Sequence, residues 1–409
     1  MKVIVIGGGA AGFFSAINIA EKHPNWQITI LEKTSKLLQK VKVSGGGRCN
    51  VTNARTKPPE LVHFYPRGNK KLHPIFKRFS TEDMVTWLKE RGVETKSEED
   101  LRMFPITDSS QTIIDCFSKE VEKHRIKVIL NHGLIKLNQK GRSWLIHTEK
   151  EDFEADKVIV ATGSSPATWK VLNDVGLEVT EIVPSLFTFN IQDDRIKDLQ
   201  GISFEHASVK ITGTKLQEDG PLLITHWGLS GPAILKLSAW GAYELNERSY
   251  RFQILVNFTG SLKSDEIRNH VVLYKEAHPK RKVINYPLFD LPKRFWERIT
   301  RHCGVTEQTP YAELPKKVIN KLIEELGQGN YQVKGKSTFK EEFVTAGGVK
   351  LSEIDLDTFE AKRYPGLYLA GEVLDIDALT GGFNFQACWS AGWVISEGVG
   401  NKTQPEREN

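Results

Sequence analysis

MKVIVIGGGAAGFFSAINIAEKHPNWQITILE (Met1–Glu32) decides how the rest of the chain is read. Lys2 to Ile6 (KVIVI) is an almost unbroken β-branched apolar run, the pattern of a parallel strand buried on both faces. Gly7, Gly9 and Gly12 follow in G-x-G-x-x-G spacing. In that spacing the first glycine permits the tight turn, the second lets a pyrophosphate approach the backbone, and the third lets the next helix lie close on the strand. The helix N-terminus so formed has unpaired N–H groups and a partial positive charge, and therefore receives phosphate. A second strand, Gln27 to Leu31, ends at Glu32, 20 residues after Gly12. A carboxylate there accepts both hydroxyls of an adenosine ribose and repels a 2′-phosphate. Strand, turn, helix and acid agree, so the stretch reads as a dinucleotide site rather than a structural glycine turn.

With 409 residues the chain exceeds one ordinary core and suggests two or three domains. Its 39% hydrophobic and 26% charged residues are a globular composition, and no apolar run reaches the roughly 18 residues that span a bilayer. Lys2 runs straight into a strand instead of a leader, so a cytoplasmic location and no membrane partner are expected. Cys49, Cys116, Cys303 and Cys388 lie far apart and form no C-x-x-C pair. No disulfide framework, redox dithiol or metal site is expected from them. One segment carries a surplus equal to the whole net charge of +5, because Leu262 to Lys334 holds 14 Lys and Arg against 9 Asp and Glu. Nothing in the sequence speaks to oligomeric state.

After Glu32 and Lys33 the chain reaches Ser44-Gly45-Gly46-Gly47-Arg48-Cys49-Asn50. Three consecutive glycines suit a backbone laid against a flat or phosphorylated ligand, a flexible hinge being the competing reading. Arg48 can pair with pyrophosphate and Asn50 can donate to a ring carbonyl. Cys49 is a candidate nucleophile or proton donor, set against the commoner role of a buried apolar cysteine. The basic run Tyr65–Phe79 reads as a solvated face or a nucleic-acid contact. Ser80 opens a helix with Asp83 at the capping-box position; a helix over 110–124, a strand at Val128-Ile129 and a hairpin around Lys140-Gly141 follow. Asp156 to Ala161 is another buried strand that runs into Thr162-Gly163 at the ligand edge of a doubly wound sheet.

From Leu186 to about Phe258 short alternating runs predict an antiparallel sheet or barrel, with His226 as a candidate proton donor or a structural histidine. Leu262 to Gly329 reads as proline-broken helices. There Lys280-Arg281-Lys282 and Lys293-Arg294-Phe295-Trp296 place cations beside aromatics, fitting RNA contact or a small helical core. Phe343–Val349 returns to a strand, and Leu367–Ala370 is a further buried strand leading into Gly371-Glu372 and Asp375. Gly381-Gly382-Phe383-Asn384-Phe385 opens a last helix, whose Ala387, Ser390, Ala391 and Gly392 let helix and sheet approach closely. Its N-terminus can stabilise the electron-rich end of a reduced isoalloxazine ring.

The GGGAAG turn, the LEK strand tip, SGGGRCNVTN (Ser44–Asn53), HWGLSGPAIL (His226–Leu235), TAGGV, and the AGEVLD and TGGFNFQ ending occur in that order. The chain thereby resembles the bacterial BaiN-like or aminoacetone-oxidase-like NAD(P)/FAD-dependent oxidoreductases over essentially its whole length. The resemblance implies an α/β fold: a doubly wound, Rossmann-like FAD domain of the glutathione-reductase type with an inserted β-barrel domain that carries a helical subdomain. The expected boundaries are 1–186 for the first part of the FAD domain, 187–260 for the barrel, 261–335 for the basic helical subdomain, and 336–409 for the end of the barrel and the return to the FAD domain. Carried over position by position, FAD contacts fall on Gly7, Gly9, Ala11, Gly12, Glu32 and Lys33, on Arg48 and the preceding Gly45, Gly46 and Gly47, and on Gly371, Glu372, Asp375, Gly382, Asn384 and Phe385; the reading of the residues themselves adds Asn50, Thr162, Gly163 and Gly381 as candidate cofactor contacts.

After Gly163 many relatives continue with a longer glycine- and proline-containing stretch where this chain has Ser164-Ser165-Pro166-Ala167-Thr168-Trp169. Substrate identity therefore does not carry over. Activities in the family range from small-molecule reduction or oxidation to reduction of a uridine in ribosomal RNA. The expected function is an FAD-dependent oxidoreductase in which reduced flavin gives hydride to an activated C=C or C=O bond of a small molecule or of a ribosomal RNA uridine. No second G-x-G-x-x-G is present, so NAD(P)H is expected as a transient electron donor. The alternative from another class is a non-catalytic FAD-carrying RNA-binding or assembly protein.

Overall fold

A computed structural model of the chain describes residues 1–337 and 344–400. Two compact units emerge, one made of residues 1–182 and 344–409, the other of 183–343. The first opens with β1 (Lys2–Ile6), α1 (Ala10–Lys22), β2 (Gln27–Leu31) and α2 (Gln39–Gly47). β1 pairs in parallel with β2 on one side and with Lys157–Val160 on the other. Lys127–Ile129 extends the sheet beyond β2, and Leu367–Leu369 extends it beyond Lys157–Val160, both also parallel. Two short strands, Ile354–Asp355 and Glu360–Ala361, continue that edge antiparallel.

Chain order thus runs outward from β1 in one direction and then resumes on its other side. The crevice outside the carboxyl ends at such a reversal is where open α/β sheets take ligands. β1 is central because it is apolar on both faces: Val3 and Val5 are completely buried, and Ile4 and Ile6 nearly so. Phe13, Phe14 and Ile17 of α1 are also buried, each worth roughly 1.5–3 kcal/mol relative to an exposed position.

The last helix, Phe383–Gly398, packs on α1, so both ends of the chain build one core. A Cβ at Gly392 would lie 2.9 Å from Ser15 Oγ and 3.1 Å from the Phe14 ring. The small residues expected to admit the sheet therefore admit α1 instead. The capping box at Ser80 is present, with Asp83 accepting from the Ser80 N–H at 2.6 Å. The hairpin Leu134–Lys140 with Ser143–Thr148 gains a third strand, Asp152–Ala155, whose mixed DFEA composition gave no strand signal. Of the expected strand 343–349, Val344–Ala346 is one, while Phe343 lies outside the described residues.

The second unit is a closed barrel of six strands in the order Thr188–Ile191, Gly228–Ser230, Gln217–Ile224, Ser203–Ile211, Phe252–Asn257 and Gly329–Ser337. Along its longer strands buried residues alternate with more exposed ones, as in Gly329–Ser337, where Tyr331 and Val333 are fully buried. Between the last two strands in sequence lie the helices Ser264–Ala277, Lys293–His302 and Lys316–Gln328. The helical insert therefore ends at Gln328 and not at 335, because Gly329 already belongs to the strand that closes the barrel. Phe204, Phe258 and Phe295 meet at centroid distances of 4.5–4.8 Å where insert and barrel share a core.

Candidate functional site

In the first unit a cavity of about 510 Å³ opens at the carboxyl ends of β1, β2, Lys157–Val160 and Leu367–Leu369. α1 points its N-terminus into it. Gly9, the N-cap, supplies no capping side chain and the first turn holds no acidic residue, so the helix end offers unclaimed N–H groups and positive potential. The three fingerprint glycines do different work. At Gly7 (φ +116°) a Cβ would lie 2.4 Å from Ala161 O, and at Gly12 it would lie 1.9 Å from Gly7 O. At Gly9 it would meet no heavy atom within 4 Å. Two glycines close the turn, and the third leaves room for something other than protein.

Glu32 and Lys33 stand at the cavity wall after β2. One oxygen of Glu32 accepts from the Gly8 N–H at 2.8 Å, the other from the Thr34 N–H at 2.8 Å and hydroxyl at 2.9 Å, so the carboxylate is held against the turn. Opposite, Thr162, Gly163, Gly371, Glu372 and Phe385 line the same space, with Ala11 and Cys388 beneath. Gly371 (φ +77°) is needed there, since a Cβ would lie 3.1 Å from both Ala11 Cβ and Cys388 Sγ. Thr162 Oγ1 is buried without a hydrogen-bond partner, a costly state unless a ligand supplies one. Phe385 stacks on Trp389 at 5.6 Å, giving the cavity a rigid aromatic wall. An unfilled space over Gly9, an uncapped helix end, an acid beyond β2 and an orphaned hydroxyl together fit an extended dinucleotide.

Other expected contacts are placed elsewhere in the unit. Gly45, Gly46 and Gly47 have φ of +58°, +69° and +86°, three successive left-handed residues that glycine adopts without steric cost. A Cβ at Gly46 or Gly47 would meet nothing within 4 Å, so this face of the backbone is open, although it lies outside the cavity wall. Arg48 does not reach for phosphate: its guanidinium donates to Glu98 at 2.5 Å, lies 3.6 Å from Asp108 and covers the Phe104 ring at 4.1 Å. Asn50 is buried. With its amide turned to satisfy both neighbours, it donates to Thr52 O at 3.0 Å and accepts from the Gly382 N–H at 2.9 Å. Asn384 exchanges two 2.9 Å hydrogen bonds with the Ala378 backbone and braces the turn before the last helix.

Gly381 and Gly382 serve close packing, against Phe383 and the Thr52 carbonyl respectively. Asp375 has one buried oxygen without a partner; burial pushes its carboxyl up, against the pull of Arg67, and Asp377 adds to the rise. Gly12 is a packing residue by the contact described above.

Two catalytic candidates change meaning. Cys49 is completely buried, and burial pushes its thiol up to about 12 against a hydrogen bond from Ser44, so no thiolate forms near neutrality. It is a packing residue. His226 belongs to the second unit, exposed on the turn between Gln217–Ile224 and Gly228–Ser230, beside a polar cavity of about 480 Å³. In the basic insert Phe295 and Trp296 are completely buried, and Trp296 Nε1 donates to Val283 O at 2.7 Å. They cannot stack on bases. Arg294 and Arg298 donate to the carbonyls of Asp198 and Asp194, which leaves Lys280, Arg281 and Lys282 as an exposed cationic turn.

Sequence reasoning missed Lys40 and Ser164, which line the cavity and converge on Glu372. Ser164 follows directly on Thr162-Gly163 and was legible by adjacency; no spacing signals Lys40. Among the described residues no group of three or more His, Cys, Asp and Glu is placed to hold a metal ion, and no helix is long and apolar enough to cross a membrane.

Comparison with known proteins agrees with this geometry. Residues 1–398 match the family model described as HI0933-like protein Rossmann domain. The chain is 28% identical over 406 residues to the ribosomal RNA dihydrouridine synthase of Escherichia coli K12, covering 96% of each. It is 23% identical to the 3-dehydro-bile acid delta(4,6)-reductase of Clostridium scindens, covering 98% of this chain and 99% of that one. Among solved structures, the 3-ketosteroid-delta4-(5alpha)-dehydrogenase of Rhodococcus jostii RHA1 shares the fold at 12% identity, with a TM-score of 0.52 and 97% of each chain covered.

Proposed function

The chain belongs to the HI0933-like Rossmann-domain family, whose members are FAD-dependent oxidoreductases, and from that premise we propose that it reduces the C5=C6 bond of a uridine in ribosomal RNA. When bound, FAD would supply two-electron chemistry, carrying a hydride equivalent from NAD(P)H to the uridine double bond, whose reduction to dihydrouridine also takes up one proton. The protein's part is to bind, orient and shield. The N-terminus of α1 over Gly9 would receive the pyrophosphate, and Glu32 would receive the ribose hydroxyls. Thr162 would donate its orphaned hydroxyl to the cofactor, and Glu372 and Phe385 would hold its remainder. NAD(P)H as donor and a cytoplasmic location belong to the same proposal.

The observation that carries the flavoenzyme reading is one cavity walled by both chain ends, Gly7–Ala11 on one side and Phe385 with Cys388 on the other. RNA as substrate is favoured by the exposed Lys280-Arg281-Lys282 turn. Arg281 donates to the Tyr274 hydroxyl at 2.8 Å and lies 4.7 Å over the ring of Tyr286, which is 42% exposed. Cations beside an accessible aromatic face suit single-stranded RNA. A conjugated enone of a small molecule is the second reading, supported by the bile acid reductase match along nearly the whole chain.

The deciding experiment maps dihydrouridine in ribosomal RNA from cells with and without the gene. A position that loses the modification in the deletion strain, and regains it on complementation, is the expected result. An unchanged map together with NAD(P)H-dependent turnover of an enone transfers the assignment to the small molecule.

A further inference from the structure

Glu372 follows Leu367–Leu369 at the cavity wall, and its side chain is only 13% exposed. Two segments distant from it in sequence meet on one of its oxygens. Lys40 of α2 forms an ion pair with Oε2, and Ser164 Oγ, just beyond Lys157–Val160, donates to the same atom at 2.8 Å. Among the described residues the other oxygen, Oε1, has no protein partner. A carboxylate gripped through one oxygen has its rotation removed, so the free oxygen presents its lone pairs in one fixed direction.

Lys40 suits this task. Desolvation of its ammonium opposes the charge, but the Glu372 carboxylate outweighs it and holds the lysine above its usual range. Lys40 also sits in the helical stretch that runs directly into Gly45–Gly47. The same ion pair therefore ties the glycine run to the tip of the strand at the opposite side of the cavity.

We propose that Lys40, assisted by Ser164, is a positioning residue that pre-orients Glu372 so that its free Oε1 accepts a hydroxyl of the bound FAD. Its effect on the cofactor runs through Glu372 and not through a separate contact of its own. This inference rests on the flavoprotein reading, but the two fail differently.

The test is a double-mutant cycle on the full chain, read as FAD affinity by quenching of flavin fluorescence and as the thermal midpoint of the cofactor-free protein. Lys40→Met and Glu372→Gln are each expected to weaken FAD binding about 10-fold or more, with Lys40→Arg staying within about 3-fold of wild type. In the Glu372→Gln background, Lys40→Met is expected to add less than about 2-fold. Ser164→Ala is expected to give a smaller loss that likewise disappears without Glu372. The inference is overturned if Lys40→Met binds FAD as wild type does, or if its loss adds in full to that of Glu372→Gln. A fall in affinity that merely tracks a fall in the cofactor-free midpoint also overturns it. If the wild-type protein takes up no FAD at all, the flavoprotein reading fails instead.

Discussion

Gly9 and Gly12 lie three residues apart in one motif, yet alanine at the two positions should have opposite consequences. At Gly12 an added Cβ would stand 1.9 Å from the Gly7 carbonyl oxygen, where ordinary contact begins at 3.4 Å, so the β1–α1 turn must open by about 1.5 Å. The obstacle is backbone, which cannot swing aside as a side chain would. Overpacking costs about 1–3 kcal/mol, and a backbone obstacle places Gly12→Ala at the upper end. At about 2–4 °C per kcal/mol for a domain of this size, the midpoint should fall by about 6–12 °C.

At Gly9 the Cβ meets nothing within 4 Å. Lower entropy of the unfolded chain contributes about 0.4–1 kcal/mol in favour of Gly9→Ala, and the poorer N-cap costs about as much. The cofactor-free midpoint should therefore stay within about 3 °C of wild type. The methyl group instead fills the space over the helix N-terminus, and FAD affinity should fall at least about 10-fold, or 1.4 kcal/mol. Differential scanning fluorimetry without FAD and a fluorescence titration with it separate the two effects. Should Gly9→Ala destabilise the cofactor-free protein as Gly12→Ala does, or bind FAD within about 2-fold of wild type, the assignment of Gly9 to phosphate contact is wrong.

Arg48 is expected to act on the cofactor by holding the glycine run, so Arg48→Met should lose FAD affinity and Glu98→Gln should reproduce that loss; a direct phosphate contact would leave Glu98→Gln harmless. Cys49→Ala should retain turnover, and in the native protein Cys49 should resist iodoacetamide at pH 8, as peptide mapping would report. Because burial raises the Cys49 thiol from 9.0 to about 12, the unfolded chain loses this proton first on raising the pH. Stability is fully present below pH 9 and is lost as pH rises towards 12, by about 1.4 kcal/mol per pH unit for each such thiol; urea melts of Cys49→Ala should show a shallower alkaline decline than wild type. Replacing Lys280, Arg281 and Lys282 together by Gln should weaken binding to protein-free ribosomal RNA and lower the slope of log affinity against log salt by about 2, at about 0.7 per single-strand phosphate contact. An unchanged slope removes this turn from the RNA surface.

What the sequence determined by itself was whatever local backbone geometry requires. G-x-G-x-x-G after an apolar strand demands a tight turn into a helix because only glycine tolerates the crowding at Gly7 and Gly12, and three successive left-handed residues at 45–47 likewise demand glycine. Alternation announced the barrel, and prolines announced the insert, since both are read over a few residues. Partner choice was decided only in the tertiary structure. Arg48 goes to Glu98 rather than to phosphate, Asn384 turns back on Ala378, Gly392 meets α1 rather than the sheet, and Lys40 finds Glu372 across a separation of 332 residues. The physical reason is that a turn is set by sterics between neighbouring residues, whereas the target of a long polar side chain is set by which distant elements packing brings within hydrogen-bond reach.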